Sequence, residues 1–361
     1  MKRTTSDTRR RMLAFAVVVA LSVAGAFGYA ALVAWRAQRA AESMPTTATT
    51  KIDALPAAAG SAAARDGGHR PTLMFRSTAL GESYGRVSTE FLDGQGGQRL
   101  VSRLDCDRVH FAAGRGICLE SRRGALTTYH AHIFDANFQI KHSHPLAGPP
   151  SRARMSPDGQ TAAVTVFVSG HSYSSPGFVT RTSLIDASSG GMLADDLEKF
   201  DVRRGDAVIK AADFNFWGVT FIGNGRRFYA TLGTAGKTLL VEGDVSARKF
   251  RVLRDDVECP SVSPDGTKIA FKRRQSAGAQ GRIFWGIHVL ELATGKELAL
   301  RAEARNVDDQ VEWFGNAELL YAMPDDAATS SAATHVWVLS ADGAGAPRLL
   351  VSQAFSPTVI R

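Results

Sequence analysis

"ECPSVSPDGTKIAFKRR", residues 258–274, holds a four-residue core, Ser263-Pro264-Asp265-Gly266, that also occurs 107 residues earlier as Ser156-Pro157-Asp158-Gly159 in "RARMSPDGQTAAVTVFV". Proline pre-sets φ for the second turn position, Asp bonds nearby backbone amides, and Gly accepts the positive φ that lets a chain reverse. Each copy therefore reads as a hairpin corner. Short extended pieces, "SRARM" and "CPSV", precede the corners, and alternating or apolar runs, "QTAAVTVFV" and "TKIAF", follow them. The repeated unit is strand, corner, strand.

Degenerate forms of the corner recur as "HFAAGRGICLES" near Phe111, "FIGNGRRFYATL" near Ile222 and "WFGNAELLYAM" near Phe314, so the markers are spaced by 45, 66, 41 and 51 residues. Second hairpins such as "IHVLELATGKELALR" (287–301) and "THVWVLSADGAGAPRLL" (334–350) lie in the intervals. Four strands per ~40–50 residues is the arithmetic of a propeller blade. The first unit, with strands at 71–78, 85–92 and 97–104, lacks an innermost strand. Ser356-Pro357-Thr358-Val359 repeats the pattern of Cys259-Pro260-Ser261-Val262 and would supply it, closing a ring without a raw edge. The expected fold is all-β: a single propeller over 71–361, of six four-stranded blades closed by the C-terminal strand. Indistinct strand runs near 180–215 leave five or seven blades open.

The N-terminal 70 residues differ in kind. Met12 to Trp35 carries no charge over 24 residues, which as a helix reaches ~36 Å and spans the ~30 Å hydrocarbon core. Lys2, Arg3, Arg9, Arg10 and Arg11 lie in the basic segment 1–11, with only Arg36 and Arg39 close behind the apolar run. This asymmetry keeps the N-terminus cytoplasmic and exports the rest. A single-pass signal-anchor at 12–35, with a periplasmic C-terminal domain, is the expectation. Secretion after cleavage near Gly28-Tyr29-Ala30 is the alternative. Residues 36–70, rich in Ala, Thr, Pro and Gly, read as a flexible tether.

With 44% hydrophobic and 22% charged residues over 361 positions, the chain is globular rather than disordered. Of the formal net charge of +8, six units fall in residues 1–40, which leaves the exported part nearly neutral. The basic excess is a topology signal and excludes nucleic acid as the expected partner.

"PSVSPDGTKIAF", "RMSPDGQTAAV" and the outer hairpin "VLELATGKEL" resemble the repeats of TolB-like β-propellers, the periplasmic protein-interaction propellers of the Tol–Pal envelope system and their relatives. The resemblance covers about 71–361. It implies a non-catalytic scaffold that presents a channel mouth to a protein partner in the cell envelope. The α/β domain that precedes the propeller in TolB is not matched here, and a membrane anchor stands in its place. No partner-contact residue is carried over.

Several groups invite a chemical reading. In "TYHAHIFDANFQIKHSHPL", a three-residue loop from Ala136 to Phe138 would set His132 opposite His142 and His130 opposite His144, a four-imidazole face of the kind that binds zinc, nickel or copper. A two-residue turn would separate them, and an outer blade hairpin is normally solvated. "SGHSYSSPG" (169–177) is near the Gly-x-Ser-x-Gly elbow, but its fifth position is Ser174 and no helix pattern follows; it reads as a loop expanding the third blade and accounting for the 66-residue interval. The sialidase corner Ser-x-Asp-x-Gly is not matched either, because Gly directly follows Asp in both corners. The acidic pairs Asp195-Asp196, Asp255-Asp256, Asp308-Asp309 and Asp325-Asp326 read as solvated turns rather than Ca²⁺ or paired-carboxylate sites. Cys106 and Cys118 flank a corner on neighbouring strands and suit a cross-strand disulfide in an oxidising compartment, while Cys259 falls in a buried inner strand. No catalytic, cofactor or metal residue is assigned. The expected function is a membrane-anchored interaction scaffold; the alternative is a ligand- or metal-binding sensor or an unrecognised envelope hydrolase.

Overall fold

The computed structural model describes residues 4–43, 48–56, 71–92, 98–174, 177–276, 283–324 and 333–361. Two units are distinguished. The first holds a 40-residue helix, Thr4–Ser43, whose Arg10–Leu32 stretch is long and apolar enough to cross a membrane. The second is a six-bladed propeller.

Blade one comprises, from the inside out, Ala354–Ile360, Thr72–Ser77, Arg86–Phe91 and Arg99–Asp105. Blade two is Arg108–Ala112, Arg115–Arg122, Thr128–Asp135 and Ile140–Pro145. Blade three is Pro150–Met155, Thr161–Ser169, Val179–Asp186 and Met192–Ala194. Blade four is Asn215–Ile222, Arg227–Thr234, Lys237–Asp244 and Lys249–Asp255. Blade five is Glu258–Val262, Lys268–Ser276, Ile283–Glu291 and Glu297–Ala299, and blade six is Glu312–Phe314, Glu318–Pro324, Thr334–Ser340 and Arg348–Val351. Each inner strand touches the next, and the sixth returns to the first.

Both Ser-Pro-Asp-Gly corners use one hydrogen-bond scheme. Ser156 Oγ donates to Asp158 Oδ1 and accepts from the amides of Gln160 and Thr161, with Gly159 at φ 68°. Ser263 Oγ donates to Asp265 Oδ1 and accepts from Lys268 N, with Gly266 at φ 71°. The closing strand is zipped to blade two as well as paired with blade one: Ser356 Oγ and Thr358 Oγ1 each bond both the amide and the carbonyl of Val109 and Phe111, respectively. The C-terminal strand is thus the innermost strand of the first blade, as the repeat pattern implied.

Apolar faces of neighbouring blades form the core in seams. In the blade-four seam Phe216 stacks on Phe250 at 4.6 Å, with Phe228 edge-on; each such burial contributes roughly 1.5–3 kcal/mol. Gly218, at φ 65°, presses on blade five so closely that an added Cβ would stand 2.7 Å from Cys259 Cα. Cys106 and Cys118 are disulfide-bonded with Cα atoms 5.4 Å apart, stapling the link between blades one and two. Cys259 is buried in blade five's inner strand.

Two features were not expected. Thr49–Lys51, inside the segment read as a tether, pairs in parallel with Arg99–Val101 at the outer edge of blade one, and Ile52 and Leu55 pack on the seam between blades one and two. The extra length of the 66-residue interval lies mainly between Ala194 and Asn215, in a one-turn helix, Leu197–Lys199, and a hairpin, Asp201–Arg204 with Ala207–Ile209, which joins blade four through parallel pairing of Asp201–Arg203 with Lys249–Arg251. The insertion therefore widens the fourth blade, and the 169–177 loop, between the second and third strands of blade three, is separate from it.

Candidate functional site

Strands alternate in direction within a blade, so the inner hairpin corners all emerge at one end of the propeller and the loops joining second to third strands at the other. We call these the corner face and the loop face.

Between the faces the channel is filled by charge. The link before blade six's inner strand crosses it: Asp308 Oδ1 accepts from Lys272 Nζ at 2.5 Å and faces Arg152 Nη2 at 3.5 Å, Asp309 pairs with Arg108 at 3.2 Å, and Gln310 Nε2 donates to the carbonyls of Val219 (3.0 Å) and Pro260 (2.8 Å). Deeper, Glu312 pairs with Arg154, Arg361 and His110. Burial pushes both carboxyls up, but the cations and hydrogen bonds around them outweigh it, holding Asp308 and Glu312 below the usual carboxylate range. Burial pushes His110 down, so at neutral pH it is uncharged.

A cleft of about 830 Å³ opens above this network on the loop face. Its wall includes Tyr173, Phe178, Trp217 and Trp285, with Asn215, Asn306, Arg274 and Asp308 among its polar groups. Lys272 lies over the Trp285 ring at 4.4 Å and Arg152 over Tyr173 at 4.9 Å. A smaller pocket of about 380 Å³ opens on the corner face, floored by Arg154, Glu312 and Arg361 and ringed by the inner corners. The loop face also carries an apolar rim: Leu80 (50% exposed) and Tyr84 from blade one, Leu126 (85% exposed) from blade two, and Val168 and Val179 from blade three. Rim and cleft meet at blade three.

The histidine hairpin does not converge. A bulge between Ile133 and Phe134 shifts the register, so His132 faces Ser143, His130 faces Pro145, and His142 and His144 pair with Ile133 and Ala131 on the opposite side of the sheet. Buried His132 bonds Ser143 Oγ at 2.8 Å and Glu120 Oε2 at 2.9 Å, and His142 Nε2 reaches Ser188 O. Ser172, at the elbow position, bonds Ser174 Oγ at 2.8 Å within a strand-to-strand loop.

Among the acidic pairs, Asp195 pairs with Lys199, Asp196 caps the one-turn helix, and Asp255 and Asp256 meet Arg204 and Arg273, all near the surface. Asp325-Asp326 lies outside the described residues. Asp308-Asp309 overturns its expected role: it is the channel's central anion pair, not a solvated turn. Tyr173, in the 169–177 loop, is a buried wall of the cleft.

No protein-family model matches the chain, and no curated protein matches it. Among solved structures, it is similar to TolB from Acinetobacter baumannii (15% identity, TM-score 0.54, covering 81% of this chain and 66% of that one). A chain of a nidogen/laminin complex is also similar (11% identity, TM-score 0.50, covering 81% and 98%), as is the periplasmic gluconolactonase of Pseudomonas aeruginosa (14% identity, TM-score 0.46, covering 81% and 99%). The chain thus has a TolB-like six-bladed propeller fold, and spans about two thirds of the length of that TolB. At these identities the likeness is one of fold, and the fold houses enzymes and non-enzymes alike.

Proposed function

We propose that the protein is a membrane-anchored, envelope-facing interaction platform whose loop face receives a protein partner. The observation that carries this reading is the apolar rim: five exposed apolar side chains at the loop-face ends of three consecutive blades, on the face that also holds the cleft of about 830 Å³, are of the kind that marks protein contact. The helix at Arg10–Leu32 would hold the platform at the membrane, as an uncleaved anchor with the propeller outside the cytoplasm. The filled channel fits a rigid display scaffold, because the polar groups crossing it are engaged in holding blades together.

The test is capture of the tagged full-length protein after cross-linking in intact cells. A partner bound by the native chain should be lost with Leu80→Asp/Leu126→Asp/Val168→Asp and retained with the outer-strand control Met192→Asp/Leu349→Asp, all variants melting like the native protein. Retention by the loop-face variant would contradict the assignment.

A further inference from the structure

The floor of the loop-face cleft is short of negative charge. Arg274 and Asp308 line the cleft, Arg108, Arg152 and Lys272 stand beneath it with Glu258 and Asp309, and the wall adds Lys237 and Asp213, so five cations face four carboxylates. Arg152 and Lys272, both buried, share the single carboxylate of Asp308, and Arg152 reaches it only at 3.5 Å. Burial pushes the Tyr173 phenol up, so it supplies no charge. A buried cation without its own counter-ion is costly.

Hydrogen bonding is unbalanced in the same sense. Among the described residues in and directly beneath the cleft, Trp217 Nε1, Trp285 Nε1 and Arg152 Nε are buried donors without an acceptor, against one orphan acceptor, Glu258 Oε2. Both tryptophans line the cleft and are 1% exposed. Arg274 also lines it, partly exposed, and its side-chain bond runs from Nε to Glu258 at 3.1 Å. Among the described residues neither Nη group has a hydrogen-bond partner, which leaves both for the two-pronged grip that guanidinium gives a carboxylate.

We infer that this cleft is a binding site for a small organic monocarboxylate with a hydroxylated body, its carboxylate held by Arg274 over the positively charged floor. One negative charge matches the excess of one. Asn306, whose Oδ1 accepts from Trp285 N and whose Nδ2 is left to donate, and Thr234, whose Oγ1 donates to Asp213 and can still accept, suit hydroxyl groups on the walls, and about 830 Å³ lies in the range of small-molecule sites. The site stands independently of partner docking at the rim, which uses different side chains.

The experiment is titration of the purified full-length protein in detergent with glucuronate, galacturonate and lactate, using glucose and galactose as neutral counterparts, followed by calorimetry and by tryptophan fluorescence. At least one acid should bind saturably at one site, with a Kd below about 1 mM, and its neutral counterpart at least about tenfold more weakly. Arg274→Lys keeps a cation beside buried Glu258 but loses the fork, and should weaken the acid about tenfold without lowering the melting temperature. Trp285→Phe, which removes one orphan donor, should weaken it severalfold. Failure of all three acids to bind, equal binding of acid and neutral sugar, or unchanged affinity in Arg274→Lys would each overturn the inference.

Discussion

Removing the Cys106–Cys118 bond, by Cys106→Ala/Cys118→Ala, should destabilise the propeller at the seam where its ring closes. The bond joins residues 12 apart in sequence, and cross-linking a loop of that size restricts the unfolded chain by about 3 kcal/mol. Both sulfurs are buried among Met74, Val87, Phe111, Phe134 and Ile360, so truncation to alanine adds about 1 kcal/mol of lost packing. In a domain of this size each kcal/mol moves the melting temperature by about 2–4 °C. Thermal unfolding followed by circular dichroism at one scan rate should therefore place the reduced and refolded native chain about 6–12 °C below the oxidised one, with the alanine pair lower still. Reductant should leave the alanine pair unmoved. A reduced chain melting with the oxidised one, or a reductant-sensitive alanine pair, would refute the reasoning.

Asp308→Asn leaves buried Lys272 and Arg152 without their carboxylate and should cost about 3 kcal/mol in urea unfolding; an unchanged midpoint would remove Asp308 from the channel network. Acid should weaken the protein through Glu312 and His110. Glu312's folded pKa lies below its unfolded value of about 4.3, so its contribution is present above that pH and is lost as the pH falls below it; His110, also depressed, begins to subtract stability as the pH falls below about 6.5, where the unfolded state protonates first. Urea midpoints should fall between pH 7 and 5 through His110, less steeply in His110→Phe, and fall further between about pH 4 and 3 through Glu312 in both chains. A propeller beginning at residue 57 should be less stable than one beginning at residue 48 by about 2–4 kcal/mol, because it loses the parallel strand Thr49–Lys51 and the contacts of Ile52 and Leu55; equal stability would make that strand incidental.

Local chemistry was legible in the sequence. The two Ser-Pro-Asp-Gly corners, the closing strand at Ser356–Val359 and the cysteine pair depend on turn residues and short spacings, and all stand where those signals put them. Features set by distant pairing were not. Thr49–Lys51 and Asp201–Arg204 are short parallel additions whose partners lie about 50 residues away, and parallel pairing leaves no turn signature. The histidine register turned on a single bulge at Ile133/Phe134. Asp308-Asp309 looks like any acidic turn until Lys272, Arg152 and Arg108, at separations of 36, 156 and 201 residues, arrive beside it. The cleft draws its walls from strands and loops of blades three, four and five and from the link before blade six, and had no contiguous signal.

The interaction reading is tested most directly by a photo-reactive amino acid placed in turn at Leu126 on the loop face and at Leu349 on the outer strand of blade six, in the full-length protein in living cells. Irradiation should yield one discrete adduct from position 126 and none from 349. Adducts from 349 alone, or the same adduct from both, would contradict a partner docked on the loop face.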